Sequence, residues 1–129
     1  KISIIVISEQ DINEGTPWPI SDARMAHLIE TVVAQNPRVI GLDLYRDFPL
    51  EPGHNDLVRV MESTPQLIGI EKVLGDPVGP PPSLSQRDQV GIADFVLDAD
   101  GKIRRGLISF RTPDNQIKTS LAARLALDY

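Results

Sequence analysis

Residues 38–44 read RVIGLDL, an almost unbroken apolar run that directly follows Asn36 and Pro37. Apolar side chains on both faces of such a run are typical of a parallel strand that helices cover on both sides. A preceding helix has to end at Asn36, because proline lacks the next helical N–H group and restricts the residue before it. The run therefore predicts a buried parallel strand around which the remaining elements are ordered.

The first half of the chain predicts a β-α-β-α-β order around this strand. Residues 1–8 (KISIIVIS) and 66–72 (QLIGIEK) have the same buried strand character. Ser21 is a good helix cap, and apolar residues follow it at the i, i+3 and i+4 spacing of a helix. Residues 55–61 predict a second, shorter helix. Two helices between three buried strands are the pattern of a parallel sheet.

The second half predicts an antiparallel hairpin and a terminal helix. Residues 90–97 and 102–111 flank the sequence DADG at 98–101, where Asp-Gly permits the positive backbone angle of a tight turn. After another turn at 112–115, the terminal amphipathic helix is predicted from Ile117, Leu121 and Leu125. The predicted fold class is α/β, with a mixed sheet, helices on both faces and one domain at residues 1–129.

Composition narrows the classes of function. A chain of 129 residues with 41% hydrophobic content has the size of one domain with a single core. The net charge of −5 leaves no basic field for a phosphate backbone, so no nucleic-acid partner is predicted. The chain has no cysteine and therefore no disulfide or thiolate metal site. Its apolar runs are far shorter than the roughly 20 residues that cross a bilayer.

Five segments of the chain have an order and spacing that together point to one protein family. They are the apolar start of the chain, TPWPIS at 16–21, VIGLDL at 39–44, GIADFVLDADGKIRR at 91–105 and SLAARLA at 120–126. Together they resemble the CHASE-type extracytoplasmic sensory family, second subtype, whose name abbreviates cyclases/histidine-kinases-associated sensory extracellular domain. The resemblance covers nearly the whole chain. In the second segment, Thr16 and Pro17 stand where many members carry a longer tryptophan-proline repeat.

The resemblance implies a signal-input domain excised from a larger bacterial transmembrane receptor. Its location would be periplasmic or at the cell surface, and flanking segments absent from this chain would tether it to the membrane. The implied output is a cytoplasmic adenylate or diguanylate cyclase, or a kinase of the histidine or serine/threonine type. The implied partner is an unknown small-molecule or peptide ligand, with a homodimer left open.

Asp43 is the first candidate for a ligand-binding residue. It lies near the carboxyl end of the predicted second strand, and ligands of open parallel sheets bind outside the carboxyl ends of the strands. Glu9 and Glu71 lie at the corresponding ends of the neighbouring predicted strands, while Arg46 and Asp47 continue from the second one. In the alternative interpretation, Asp43 has a structural role and caps a turn or pairs with Arg46.

Trp18 is the remaining candidate, because Pro17 and Pro19 stiffen the backbone on either side of its ring. Such a ring can meet a ligand, or it can pack over the core, which is the more usual role. His27 and His54 are the only histidines. They do not have the spacing of metal ligands, so surface or loop roles are predicted for both.

No catalytic residue, cofactor or resident metal is predicted. The sequence has no cysteine nucleophile, no glycine-rich phosphate loop and no serine in a G-x-S-x-G context. These observations favour a sensor over an enzyme. Two alternatives stay open at this point: a small metal-assisted hydrolase or phosphatase-like enzyme that uses Asp43, and a structural dimerisation module.

Overall fold

The computed structural model describes residues 1–15 and 17–129, so Thr16, which opens the TPWPIS segment, lies outside the described residues. The helices are α1 (Glu9–Asn13), α2 (Asp22–Val33), α3 (His54–Ser63), α4 (Pro82–Ser85) and α5 (Leu121–Asp128). The strands are β1 (Ile40–Gly41), β2 (Leu67–Glu71), β3 (Val90–Ile92), β4 (Ser109–Arg111) and β5 (Ile117–Thr119). The predicted α/β class is confirmed.

The main sheet has three parallel strands in the order β1-β2-β3. Ile40 pairs with Leu67, and Gly69 pairs with Val90. The central strand β2 is buried along its whole length. Since α3 joins β1 to β2 and α4 joins β2 to β3, the predicted β-α-β-α-β order is present. It begins at β1, one strand later in the chain than expected.

One face of this sheet packs against α2, α3 and α4. The buried cluster on this face consists of Ile20, Met25, Ala26, Ile29, Leu42, Leu57, Val60, Met61, Leu67 and Leu84. The helix α2 begins as predicted, because the hydroxyl of Ser21 accepts a hydrogen bond from the N–H of Arg24 at 3.4 Å. Burial of each large apolar side chain in such a cluster contributes about 1.5–3 kcal/mol.

The opposite face of the sheet is covered by α5, which contacts two strand glycines. A Cβ atom at Gly91 would lie 2.6 Å from the Cα of Leu121, and one at Gly41 would lie 2.8 Å from a methyl carbon of Leu125. These glycines alternate along their strands with residues that face the other layer, such as Ile40. Helices therefore cover both faces, as predicted.

The prediction of a strand at residues 1–8 is wrong. These residues belong to no strand, and Ile2 and Ile4 are 90% and 83% exposed. Ile7 packs against the core cluster, and Ser8 forms a capping box with Asp11 at the start of α1. A run of β-branched residues favours a strand only where a neighbouring strand accepts it, because β-propensity depends on context.

The antiparallel hairpin lies later in the chain than predicted. Residues 90–92 form the third parallel strand, and the hairpin consists of β4 and β5 around the turn at 112–115. The turn at 98–101 is present, with a hydrogen bond of 2.8 Å from the N–H of Gly101 to the carbonyl of Asp98. The residues on either side of it form no strand pair among those described. Ile117 is in β5, and the terminal helix starts only at Leu121.

We expect Gly91→Ala to destabilise the domain by about 1–3 kcal/mol, because the added methyl group would overlap the backbone of Leu121 and push α5 from the sheet. Gly106→Ala is the matched control, since a Cβ there meets no atom within 4 Å. Its effect should stay within about 0.5 kcal/mol. Urea unfolding of both variants measures the difference, and equal stabilities would contradict the close approach of α5.

Candidate functional site

A buried polar group at the start of α2, here called the Asp22 cluster, consists of Asp22, Arg46 and His54. Asp22 and His54 are the first residues of α2 and α3, and Arg46 lies in the loop between β1 and α3. The side chains of Asp22 and Arg46 are 1% and 7% exposed, and that of His54 is 33% exposed. Charged groups are almost never buried this deeply unless they are paired.

The carboxylate of Asp22 holds the loop and α3 against α2. The Nδ1 atom of His54 lies 2.8 Å from Oδ2 of Asp22, and the same oxygen accepts the N–H of Leu50 at 3.1 Å. The N–H of Asp22 in turn donates to the carbonyl of Leu50 at 2.7 Å. Arg46 donates through Nη2 to the carbonyl of Ile20 at 2.9 Å. Three segments therefore meet at one carboxylate.

The ion pair between Asp22 and Arg46 is incomplete. Its Nε···Oδ1 distance is 3.7 Å, whereas charge-assisted hydrogen bonds measure about 2.7–2.9 Å. Neither of these two buried atoms has a hydrogen-bond partner in the described part of the chain. Burial lowers the pKa of the Arg46 guanidinium, and the Asp22 carboxylate raises it, so the group stays charged at any physiological pH. One donor and one acceptor are left unsatisfied beside each other.

A cavity of about 180 Å³ opens beside the Asp22 cluster, between α3 and α4. Its other lining residues are Phe48, Leu57, Val58, Met61, Glu62, Pro81, Pro82, Ser83 and Gln86. The hydroxyl of Ser83 donates to the sulfur of Met61 at 3.4 Å. A mostly apolar wall with a few convergent polar groups is the usual character of a small-molecule site. We call this space the α3–α4 cavity.

Arg46 is the residue of the predicted ligand set that lines the α3–α4 cavity. Asp43 and Asp47 are exposed in the loop that follows β1. The alternative role of Asp43 as the partner of Arg46 is wrong, because Arg46 pairs with Asp22. Arg46 pairs with Asp22 and not with Asp43, because the carboxylate of Asp22 is buried next to the guanidinium, where solvent screens the attraction least.

The other predicted candidates lie apart from the cavity lining. Glu71 is buried at the end of β2, and its carboxylate lies 2.7 Å from the ammonium nitrogen of Lys118. Glu9 is exposed in the first turn of α1. Trp18 is 54% exposed, so its ring is displayed to solvent and does not pack over the core. Whether these side chains bind a ligand stays a prediction.

Sequence reasoning missed two members of the Asp22 cluster. An acidic residue directly after a helix cap is ordinary, because it complements the helix dipole, so the local sequence around Asp22 does not signal a buried role. His54 was predicted to have a surface or loop role, whereas it begins α3 and pairs with Asp22 across 32 positions of sequence. No local pattern signals a pair at that separation.

The carboxyl edge of the sheet carries a second polar group, centred on Tyr45. Burial raises the pKa of Tyr45, and the negative charges of Asp94 and Asp43 raise it further. Asp94 is buried and accepts the N–H groups of Val73 and Leu74 at 2.9 and 2.8 Å. Asp43 therefore acts electrostatically on Tyr45, although it lies outside the α3–α4 cavity lining.

A comparison with protein families adds to this geometry. The family model described as the CHASE2 domain matches residues 1–129, which is the whole chain. The chain belongs to the CHASE2 domain family. This confirms the resemblance that the segment order indicates. CHASE2 domains are extracellular sensory domains, which fits a sensory and non-catalytic role and an extracytoplasmic location for this chain. No curated protein and no solved structure matches it.

Two further features of this CHASE2 domain concern its acidic side chains and the length of its helices. Within residues 1–15 and 17–129, no three side chains of histidine, aspartate or glutamate lie close enough together to hold a metal ion. Over the same residues, no helix has the length and apolar character needed to cross a membrane.

We expect Asp22→Asn to destabilise the CHASE2 domain by about 3–5 kcal/mol, because it leaves the buried Arg46 charge without a counterion. The matched control is Asp43→Asn, which changes an exposed carboxylate and should cost no more than about 0.5 kcal/mol. Urea unfolding near neutral pH measures both. If Asp22→Asn were as stable as the control, the Asp22 cluster would not hold the loop.

A second prediction concerns the phenol of Tyr45. In a Tyr129→Phe background, Asp43→Asn should lower the pKa of Tyr45, because one of the negative charges that oppose the phenolate is removed. Because the pKa of Tyr45 is higher in the folded state than in the unfolded state, its neutral phenol stabilises the fold. This stabilisation is complete below the unfolded pKa of about 10, and it is lost as the pH rises through the folded pKa. Ultraviolet absorbance of the phenolate gives the titration. An unchanged midpoint would contradict the coupling.

Proposed function

We propose that this CHASE2 domain is the signal-input domain of a bacterial transmembrane receptor and that a small ligand in the α3–α4 cavity regulates its cyclase or kinase output. The observation that carries the proposal is the cavity itself, whose wall contains an incompletely satisfied ion pair. Membership of a sensory family supports the input role. Arg46 belongs both to this pair and to the cavity lining, so an occupant of the cavity would lie next to a buried charge.

The Asp22 cluster supplies a mechanism by which occupancy changes the domain. Arg46 contacts the cavity, while its partner Asp22 holds the loop through Leu50 and α3 through His54. A ligand that engages Arg46 changes how strongly the guanidinium attracts Asp22. The position of the loop relative to α2 and α3 is then biased towards one of two arrangements. Regulation requires such a difference, because a ligand that binds both arrangements equally shifts neither.

The hydrolase alternative has no comparable support. Asp43 is exposed, and its electrostatic partner is Tyr45, whose pKa is raised rather than lowered. A raised pKa makes the phenol a poorer nucleophile or base near neutral pH, because less of it is ionised. A membrane tether through flanking segments is part of the receptor proposal, and a homodimer is compatible with it.

The proposal predicts that the complete gene encodes apolar runs of roughly 20 residues beside this domain and a separate output domain. In that receptor, a tethered occupant can replace the unknown ligand. Val58 lines the cavity and the chain has no cysteine, so Val58→Cys supplies a unique thiol within the domain. Labelling it with benzyl methanethiosulfonate should change cyclase or kinase activity in membranes at least about twofold, and dithiothreitol should restore it.

Two controls accompany this experiment. Val96→Cys places the same thiol at a partly exposed position outside the cavity lining, and its labelling should leave the output unchanged. The unsubstituted receptor, treated with the same reagent, accounts for thiols elsewhere in the protein. An output that responds equally to both labels, or to neither, would overturn the proposed role of the cavity.

A further inference from the structure

A second cavity lies at the amino edge of the main sheet, where its parallel strands begin. Arg38 precedes β1, Gln66 precedes β2 and Gln89 precedes β3, and all three line this space. Its volume is about 570 Å³, which is within the range of about 300–1,000 Å³ for small-molecule pockets. Among the described residues, it shares no lining residue with the α3–α4 cavity. We call it the amino-edge cavity.

Three arginines give the amino-edge cavity a positive charge. Arg38, Arg87 and Arg124 line it together with the carboxylate of Asp128. Asp88, next to the lining, pairs with Arg124, so two carboxylates face three guanidinium groups. The charge stays positive at any physiological pH, because arginine keeps its proton. The chain as a whole has a net charge of −5 and repels a long polyanion, whereas a small anion responds to the local charge.

Two of these arginines have all their donors free. Arg124 is the paired one: its Nε lies 3.0 Å from a carboxylate oxygen of Asp128, and its Nη1 lies 3.2 Å from one of Asp88. Within residues 1–15 and 17–129, the side chains of Arg38 and Arg87 donate no hydrogen bond and pair with no carboxylate. An arginine side chain has five N–H donors. The free donors therefore belong to two guanidinium groups from different segments.

The acceptors of the amino-edge cavity are fewer. The Nε2 of Gln89 donates to the carbonyls of Thr64 and Pro65 at 2.9 and 3.1 Å, so these groups at the end of α3 are already occupied. Free carbonyls at a helix end would repel an anion. The side-chain acceptors left in the lining are the amide oxygens of Gln66 and Gln89 and one oxygen of Asp128. The cavity therefore has an excess of donors as well as a positive charge.

The ring of Tyr129 positions one of the free guanidinium groups. The Cζ atom of Arg38 lies 4.8 Å from the centre of this ring, which is a cation–π contact. Stacking uses a face of the planar guanidinium and leaves the N–H groups at its edge, which bind carboxylate or phosphate oxygens in pairs. An arginine held in this way loses less conformational freedom when it binds a ligand.

A phosphate group matches this arrangement better than a single carboxylate does. The phosphate of a monoester presents three oxygens in different directions and carries a charge of about −1.5 to −2 near neutral pH. Two guanidinium groups can each bind a pair of its oxygens, whereas a carboxylate has two oxygens in one plane. The charge of the phosphate also matches two cations that have no counterion in the described part of the chain.

We propose that the amino-edge cavity binds the phosphate group of a phosphate monoester between Arg38 and Arg87. The ligand bridges the start of β1 and the segment between α4 and β3. No covalent bond forms or breaks, and no proton moves on the protein, because both arginines stay charged. This site goes beyond the proposed function, since it does not involve the α3–α4 cavity.

Isothermal titration calorimetry of the 129-residue chain tests the proposal with glycerol 3-phosphate as the probe. A short Gly-Ser tail after Tyr129 moves the terminal carboxylate away from Arg38. Dimethyl phosphate and acetate, each with one negative charge, are the matched probes at equal ionic strength. At about pH 7.5 and about 50 mM salt, the monoester should bind at least about tenfold more tightly than either. Sodium chloride at about 0.5 M should weaken its binding severalfold, because salt screens an open site.

Substitution of the free arginines locates the site. Arg38→Gln and Arg87→Gln should each weaken binding of the monoester at least about tenfold, and Arg87→Lys should lose less, because lysine keeps the charge but not the paired donors. Arg24→Gln is the matched control, since Arg24 is exposed on α2 outside the lining and its loss changes the net charge equally. Thermal unfolding without a ligand checks the fold of each variant. If the arginines only compensate the carboxyl ends of α2 and α4, glycerol 3-phosphate will not raise the melting temperature of the unsubstituted chain.

A phosphate monoester can be a soluble compound or the headgroup of phosphatidic acid. Co-sedimentation with phosphatidylcholine vesicles, with and without phosphatidic acid, distinguishes the two sources. Retention that needs both phosphatidic acid and Arg87 assigns a lipid. Binding of glycerol 3-phosphate without such retention assigns a soluble ligand.

The proposal is wrong if the folded, unsubstituted chain does not bind glycerol 3-phosphate, or if acetate or dimethyl phosphate binds equally well. It is also wrong if Arg38→Gln and Arg87→Gln bind the monoester as tightly as Arg24→Gln does. None of these results bears on the α3–α4 cavity, which the tethering experiment at Val58→Cys tests separately.

Discussion

The carboxylate of Asp22 sits at the first turn of α2 with 1% of its side chain exposed, and it has to be compensated there because a buried charge has lost its hydration. Its compensation comes from elsewhere in the chain: the N–H of Leu50, the ring of His54 and the guanidinium of Arg46. The loop after β1 and the start of α3 are therefore positioned by one charge. The wall of the α3–α4 cavity is built from the same residues.

The incomplete pairing of Asp22 with Arg46 distinguishes this cluster from an ordinary structural ion pair. Compare Glu71 and Lys118, whose charged atoms meet at 2.7 Å and are satisfied by each other. At 3.7 Å, Nε of Arg46 and Oδ1 of Asp22 attract each other without forming a hydrogen bond. The proposed input role needs an element whose state depends on occupancy, and the Asp22 cluster is our candidate for it because Arg46 and His54 line the cavity.

Much of the fold follows from local sequence patterns. The apolar runs around Ile40 and along β2, and the cap at Ser21, predicted their elements because burial and capping depend on nearby residues. The predicted strand at residues 1–8 is wrong, since a strand needs a partner that no local pattern specifies. The hairpin was placed too early for the same reason: both 98–101 and 112–115 are good turns, and only pairing between β4 and β5 selects the second.

The sequence by itself determined the α/β class, a parallel sheet with helices between its strands, and the family. The tertiary structure alone decided which carboxylate pairs with Arg46, and it chose buried Asp22 over the nearby but exposed Asp43. It also brought His54 to Asp22 across 32 positions. The physical reason is that the strength of a charge pair depends on burial and distance, and both arise only when distant segments pack together.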